Sequence, residues 1–403
     1  MNTVAILGTF DTKGEELEAL ARMLGGRGVR ALRIDVGSGA PSVPVDVPAP
    51  EVAACGGEDW EAVLALRDRG RWVALIARAA AVYLRQLVAN GAVQGVLSLG
   101  GGGGTAIATA AMRSLPIGFP KVMVSTLASG NVAPYVGTSD IVMVPAVVDV
   151  AGLNRISRVI WENAAGAVCG MLDTAGTLPD PKARPVAVAS MFGNTTACVT
   201  EARRLLEDTG WEVLVFHSTG QGGRAMEALI ASGLVSGVLD LTTTEWADEL
   251  VGGVLGAGPD RLSAAAAAHV PAVIAPGCLD MVNFGEPHTV PERFSGRRFY
   301  QHNPQVTLMR TSAEECAELG RILARKINAY TAPVRIFWPR GGISQLSAPG
   351  HPFYDPEADA ALLGALKATL RSGLEVQELD CAINDTAFAR ACAEALLSLS
   401  SAP

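Results

Sequence analysis

Apolar and polar positions alternate along this chain in a pattern that occurs twice. Residues 4–35, VAILGTFDTKGEELEALARMLGGRGVRALRID, read as an apolar strand, a small-residue turn, an amphipathic helix, a glycine and a second apolar strand. Residues 186–217, VAVASMFGNTTACVTEARRLLEDTGWEVLVFH, lie over them without a gap and carry the same pattern. The clearest match is between LVANGAVQGVLSL (87–99) and LIASGLVSGVLDL (229–241), with eight of thirteen positions identical. Chance at ordinary residue frequencies gives about one. In both, a helix ends at a glycine (Gly91, Gly233) and a buried strand follows (Gly95–Leu99, Gly237–Leu241). Downstream, FPKVMVSTLASG (119–130) answers VPAVIAPGCLDM (270–281). The first half has extra residues between about 38 and 80, read as a loop excursion.

Strands alternating with helices predict parallel sheets with right-handed crossovers. The expected fold is therefore α/β: two tandem Rossmann-like domains related by internal duplication. A helical stretch near 150–172 closes the first half, and the proline-rich run PDPKARP (179–185) reads as a connector. The expected domains are 1–180, nucleotide-binding, and 181–403, with the tail beyond Ile343 possible as a crossing-back segment.

Composition narrows the function classes. The 403 residues suit two or three domains, and 49% hydrophobic with 18% charged residues excludes a disordered chain. Aromatic residues are only 5%, against 44 glycines, so Ala, Val and Leu build the core, as in parallel sheets under Ala-rich helices. A net charge of −8 argues against a nucleic-acid binder but not against a nucleotide, which needs one local loop. No signal peptide or membrane span is read: the uncharged stretch 86–112 is broken by Asn90, Gln94, Ser98 and many glycines. Seven scattered cysteines without a CxxC pair suggest reduced thiols and a cytoplasmic protein.

In such sheets ligands bind at the carboxyl ends of the strands, so the loops there hold the candidate chemistry. In GTFDTKGEE (8–16), Thr9 and Thr12 offer hydroxyls, Lys13 a cation, and the amides around Phe10 an anion site at a helix start. Asp11 holds a metal, orients a ribose or caps the helix. In LGGGGGT (99–105), Gly100, Gly101, Gly102, Gly103 and Gly104 let backbone approach a phosphate or carboxylate closely, next to Thr105; a flexible turn is the plainer alternative. In STLASGN (125–131), Ser125, Ser129, Gly130 and Asn131 add polar groups. Asp35 ends a strand where a Rossmann acid meets a ribose, or simply starts a turn.

The second half carries matching loops with different chemistry. Asn194, Thr195 and Thr196, then Thr219 and Gly220, then Thr243 and Thr244 are candidate substrate contacts, with Arg310 a candidate carboxylate clamp or a structural cation. His217 is the candidate acid/base, and Glu245, beside the threonines, is a second catalytic candidate that orients substrate with them. Cys278 reads as a buried thiol before a nucleophile. Asp280, His288 and His302 match no zinc spacing, so no metal ligands are assigned. The polar run 339–359 is read as a lid or an intersubunit arm.

Taken together, GTFDTKGEE, GGGGGT, VSTLASGN, GLNRIS (152–157), MFGNTT, VFHSTGQGGRAMEALI (215–230), VLDLTTTE, LDMVNFG (279–285), TVPERF (289–294), HNP and FYDPEAD resemble one family. It is the bacterial, fungal and plant family typified by the ATP-binding N-terminal domain of the tomato mosaic virus resistance protein. The resemblance covers nearly the whole chain in order. It implies two Rossmann-like subdomains that bind ATP and that self-associate as a homodimer or higher oligomer; Asp11, as the candidate metal holder, adds magnesium near it. The leading expectation is an ATP-binding protein with a ligand cleft between its halves. The alternative is a metabolic enzyme for a small phosphorylated or carboxylated substrate, with His217 as acid/base. A non-catalytic interaction module is the third.

Overall fold

A computed structural model describes residues 1–174 and 184–400, so the expected connector lies, apart from Arg184 and Pro185, outside the described residues. The chain divides into two compact units, 1–178 and 179–403.

Unit 1 is built on β1 (Thr3–Gly8), β2 (Arg30–Asp35), β3 (Gly95–Gly100), β4 (Lys121–Ser125) and β5 (Val142–Pro145). All pair in parallel, in the order β2-β1-β3-β4-β5. Alternation along the strands sorts the core into two layers. Ala5, Leu7, Val96 and Met123 face helices Arg69–Ala89 and Gly102–Arg113, while Val4, Ile6, Leu97 and Val124 face helices Phe10–Gly25 and Arg155–Thr174. Every residue of β3 is buried, as a central strand covered on both faces requires. Helix Arg69–Ala89 is long and apolar enough by composition to cross a membrane, yet Leu75, Ile76, Ala79, Ala80 and Leu84 spend that apolar face on the sheet.

The expected loop excursion is ordered structure. Short helices Ala49–Ala53 and Trp60–Ala65 pack Val52 and Val63 onto Leu75 and Ile76, and Asp68 caps the long helix by accepting from Arg71 N at 3.1 Å.

Unit 2 contains β6 (Val186–Met191), β7 (Glu212–His217), β8 (Gly237–Thr242), β9 (Ala272–Gly277), β10 (Met281–Phe284), β11 (Phe299–Asn303), β12 (Val306–Arg310), β13 (Val334–Pro339) and β14 (Val376–Leu379). Its parallel sheet runs β14-β13-β9-β8-β6-β7, and β10-β12-β11 form a separate antiparallel sheet. Read from β7, the order is that of unit 1 with one strand added, so the duplication extends to strand order. The chain beyond Ile343 stays in unit 2 and does not cross back. The 339–359 run, expected as a lid or an arm, packs part of its length into unit 2 and leaves 349–352 exposed. Ile343, Ser344, Ser347 and Phe353 are buried, and Gln345 N donates to Asn194 O at 3.2 Å.

Candidate functional site

Strand order in unit 1 reverses between β1 and β3, and their carboxyl ends open a crevice there. A cleft of about 650 Å³ occupies it, lined by Thr9, Asp11, Thr12 and Lys13 after β1, by Gly101 to Gly104 after β3, and by Val63, Leu64, Arg67, Asp68, Arg69 and Trp72 from the excursion.

Helix Gly102–Arg113 starts in this cleft without a capping side chain, so its first-turn amides point at whatever enters. None of the five glycines has a positive φ. A Cβ at Gly101 would come no closer than 3.8 Å to any atom, at Gly102 or Gly104 no closer than 3.9 Å. At Gly103 it would lie 3.2 Å from Arg69 Nη2, and only at Gly100 would it press on backbone, 3.2 Å from Gly104 Cα. The fold therefore has no reason of its own for glycine at 101, 102 and 104. Clearance for a ligand is the remaining physical reason.

The other expected residues of unit 1 divide into two groups. Thr9, Asp11, Thr12 and Lys13 line the cleft; Thr9 and Thr12 hydroxyls share a 3.0 Å bond, and Lys13 Nζ donates to Val150 O. Asp11 Oδ2 accepts from Ser38 N at 3.1 Å and Gly39 N at 2.9 Å, while its buried Oδ1 has no partner. Phe10 and Asp35 need correcting: both face inward. Phe10 is fully buried, and its N–H donates to Asp35 Oδ1 at 3.0 Å; Gly37 N donates to the same oxygen at 2.8 Å. Burial pushes the Asp35 carboxyl above its ordinary range, partly offset by those amides. Asp35 thus ties β2 to the first helix and is not free to meet a ribose. Thr105 and Ser125 are likewise buried and bonded to each other at 2.7 Å. Ser129, Gly130 and Asn131 are exposed and lie off the cleft lining, with Asn131 Oδ1 accepting from Ala133 N.

Sequence reasoning missed Arg67, Arg69 and Trp72. The signal was an insertion present in one half only. Arg67 sits at φ 53, a left-handed conformation that side chains rarely adopt and that concentrates at functional sites. Trp72 is nine-tenths buried, and its indole N–H has no acceptor.

Unit 2 fills the corresponding region with its own side chains. Glu245 is fully buried; its Oε1 accepts from Gly220 N at 2.7 Å and Gly223 N at 3.0 Å, and its Oε2 from Arg261 Nε at 2.7 Å. Arg261 also holds Asp240 at 2.5 and 2.6 Å and Glu227 at 3.2 Å. The glycines here have internal causes: a Cβ at Gly223 would strike Glu245 Oε2 at 2.1 Å, and one at Gly222 would strike His217 O at 1.8 Å. Glu245 as a catalytic, substrate-orienting residue is therefore corrected. Glu245 is sealed in an ion cluster, whereas His217 is exposed at the end of edge strand β7 with its ring edge-on to Phe192, centroids 5.4 Å apart. Gly220's amide, expected to meet substrate, is given to Glu245.

The remaining second-half candidates also bond inward. Thr195 Oγ1 pairs with Thr242 Oγ1 at 2.8 Å, Thr243 Oγ1 donates to Ala275 O at 3.2 Å, and Thr244 is buried with an unpartnered hydroxyl. Asn194 Nδ2 reaches Met281 Sδ at 3.5 Å, Thr196 Oγ1 donates to Phe192 O, and Thr219 Oγ1 to His217 O. Arg310 does clamp a carboxylate, but it is Asp359 at 2.5 Å, with Phe353 O at 2.9 Å. Cys278 is fully buried at φ 59, and burial pushes its thiol far above the ordinary range, so it is no nucleophile. Asp280 is buried, His288 and His302 are exposed, and no group of three or more His, Cys, Asp or Glu among the described residues is placed to hold a metal. All seven cysteines are free.

One doubly wound α/β fold used twice, with an open glycine cradle in one unit and a self-filled counterpart in the other, defines a tandem Rossmann-like protein. Residues 2–177 match the N-terminal domain of the Uncharacterised protein family (UPF0261), and residues 184–400 match its C-terminal domain. The chain belongs to that family. It is 50% identical over 398 residues to a UPF0261 protein of Rhizobium meliloti and 47% over 399 residues to one of Clostridium tetani, covering 98% of both chains in each case. It is also 41% identical over 363 residues to the ToMV resistance protein Tm-1 of Solanum lycopersicum, covering 88% of this chain and 48% of the tomato protein.

Proposed function

We propose that unit 1 binds ATP together with magnesium. The observation that carries this reading is the set of glycines at 101, 102 and 104, which neither backbone conformation nor packing requires. The uncapped helix start receives phosphate oxygens, and Arg67 and Arg69 add charge at the same end. Val63, Leu64 and Trp72 supply an apolar wall for a base. The likeness of the GTFDTKGEE and GGGGGT loops to an ATP-binding domain selects ATP among phosphorylated ligands.

Magnesium fits what is present. It is commonly held by one or two carboxylates plus phosphate oxygens, without an all-protein cage. The Asp11 carboxylate and the hydroxyls of Thr9 and Thr12, all on the cleft lining, would hold it; the ion would neutralise phosphate charge. ATP and reduced thiols coincide in the cytoplasm, where we place the protein.

Isothermal titration with ATP and magnesium tests the reading. The wild type is expected to bind. Gly102→Val is expected to abolish binding while changing folding stability by less than about 1 kcal/mol, since Gly102 lines the cleft and a Cβ there comes no closer than 3.9 Å to another side chain. No binding by the wild type, or equal binding by the variant, overturns it. Thermal stabilisation by small phosphorylated acids but not by nucleotides would replace ATP with a metabolite on the same atoms.

A further inference from the structure

The internal repeat supplies a second view of the unit 1 cleft. Strands β3 (Gly95–Gly100) and β8 (Gly237–Thr242) are equivalent, and carrying that register forward places Gly103 opposite Glu245. At this position unit 2 holds a carboxylate, 0% exposed, against the guanidinium of Arg261. Unit 1 holds no side chain there at all. A guanidinium nevertheless stands beside the gap: Arg69 Nη2 is 3.2 Å from where a Cβ on Gly103 would lie. Arg69 has no acidic partner among the described residues. Its neighbour Asp68 is occupied in capping the helix through Arg71 N.

One unit thus has anion and cation together, and the other has the cation and the space. Trp72 stands in the wall of the same cleft, nine-tenths buried, with an indole N–H lacking an acceptor. The buried indole N–H lacks an acceptor in the chain, and the exposed Arg69 guanidinium is a cation free to pair with an anion that enters the cleft.

We infer that Arg69 binds the terminal anionic group of the unit 1 ligand, in the space that the Glu245 carboxylate takes up in unit 2. The inference rests on reading the cleft as a phosphate site and deepens it. The ligand class is a polyphosphate: one phosphate lies on the amides of the Gly102 helix start and the terminal one on Arg69. Glu245 is the built-in counterpart that closes the equivalent position of unit 2 to any such ligand.

Two substitutions in the full chain test this, with ATP and inorganic tripolyphosphate as probes. Arg69→Gln removes the charge and is expected to weaken both probes at least tenfold. Gly103→Glu installs the unit 2 solution in unit 1, and is expected to weaken both at least a hundredfold by pairing with Arg69 and occupying the space. Gly103→Gln, of the same size without the charge, is expected to weaken binding less than Gly103→Glu. Circular dichroism and unfolding temperature establish that each variant is folded. If the wild type binds both probes and Arg69→Gln and Gly103→Glu bind them as tightly, the assignment of Arg69 is overturned and the glycine cradle stands. If the wild type binds neither probe, the phosphate reading of the cleft fails and this inference with it. Loss with ATP but not with tripolyphosphate also overturns it, because Arg69 would then be reading the nucleoside.

Discussion

Replacing Arg261 by methionine is expected to cost unit 2 about 3–5 kcal/mol or more, the penalty for leaving buried charge without its partner. Arg261 is 1% exposed and holds three carboxylates: Asp240 at 2.5 and 2.6 Å, Glu245 at 2.7 Å and Glu227 at 3.2 Å. Two of the three have other support. Glu245 accepts from Gly220 and Gly223 amides, and Glu227 from the amides of Leu262 and Ala264 at 2.7 Å each. Asp240, on the central strand β8, has only Ser190 Oγ at 2.7 Å besides the arginine, so most of the penalty falls there. Urea unfolding followed by circular dichroism would report it as an early transition confined to unit 2. A change below about 1 kcal/mol would mean that the cluster contributes little, as exposed ion pairs usually do. Glu245→Gly should be milder, because it removes an anion from a site rich in anions, and formate should restore part of the loss by binding to the Gly220 and Gly223 amides.

The opposite sign is expected for Asp248→Asn. Asp248 is buried, and burial, with Glu245 adding repulsion, pushes its carboxyl from an ordinary 3.8 up to about 7. Between those values the folded protein keeps a proton that the unfolded chain has released. Stability from this group is therefore complete below about pH 4 and falls as pH rises toward 7. At about 1.4 kcal/mol per unit, the loss approaches about 4 kcal/mol by pH 8. Asparagine removes the charge and keeps the shape. Its Oδ1 can accept from Asn283 N and Leu255 N, now bonded to Asp248 Oδ1 at 3.0 and 3.2 Å. Its amide can donate to Asn283 Oδ1, which lacks a partner, once Asn283 turns over. The variant should melt higher than the wild type at pH 8, and the gap should close toward pH 4. A lower melting temperature at pH 8 would show that the carboxylate's hydrogen bonds outweigh its desolvation.

The repeat made the scaffold legible. Strand–helix alternation in both halves named the parallel sheets, and the glycine run marked the helix start that opens the unit 1 cleft. Side-chain direction was not legible. Asp35 ends a parallel strand where ligands are met and Arg310 ends the antiparallel strand β12, yet each bonds to its own chain, because a strand end fixes a position and not what the side chain finds there. Glu245 looked like chemistry because its partner Arg261, sixteen residues on, carries no local sign of the pairing. Arg69 and Trp72 were missed for a related reason. The repeat has no counterpart for the segment that carries them, and only its packing onto the sheet brings them to the glycines.

The order in which contacts close differs between the units. Every layer of unit 1 is supplied by the first 174 residues, so its sheet and covering helices can assemble once that length has left the ribosome. Unit 2 has to wait. Helix Thr196–Asp208 packs Cys198 and Leu206 against Phe388, Cys392 and Leu396 of helix Thr386–Ser400, and Cys198 N donates to Asn384, 186 residues further on. Until that last helix is made, an apolar helix face stands open while nearly half the chain is being synthesised. Closing so long a loop is slow. A chaperone that recognises nascent apolar helices would therefore engage the second half of the chain, and a stall in translation before residue 386 would leave a folded first unit tethered to a sticky, unfinished second.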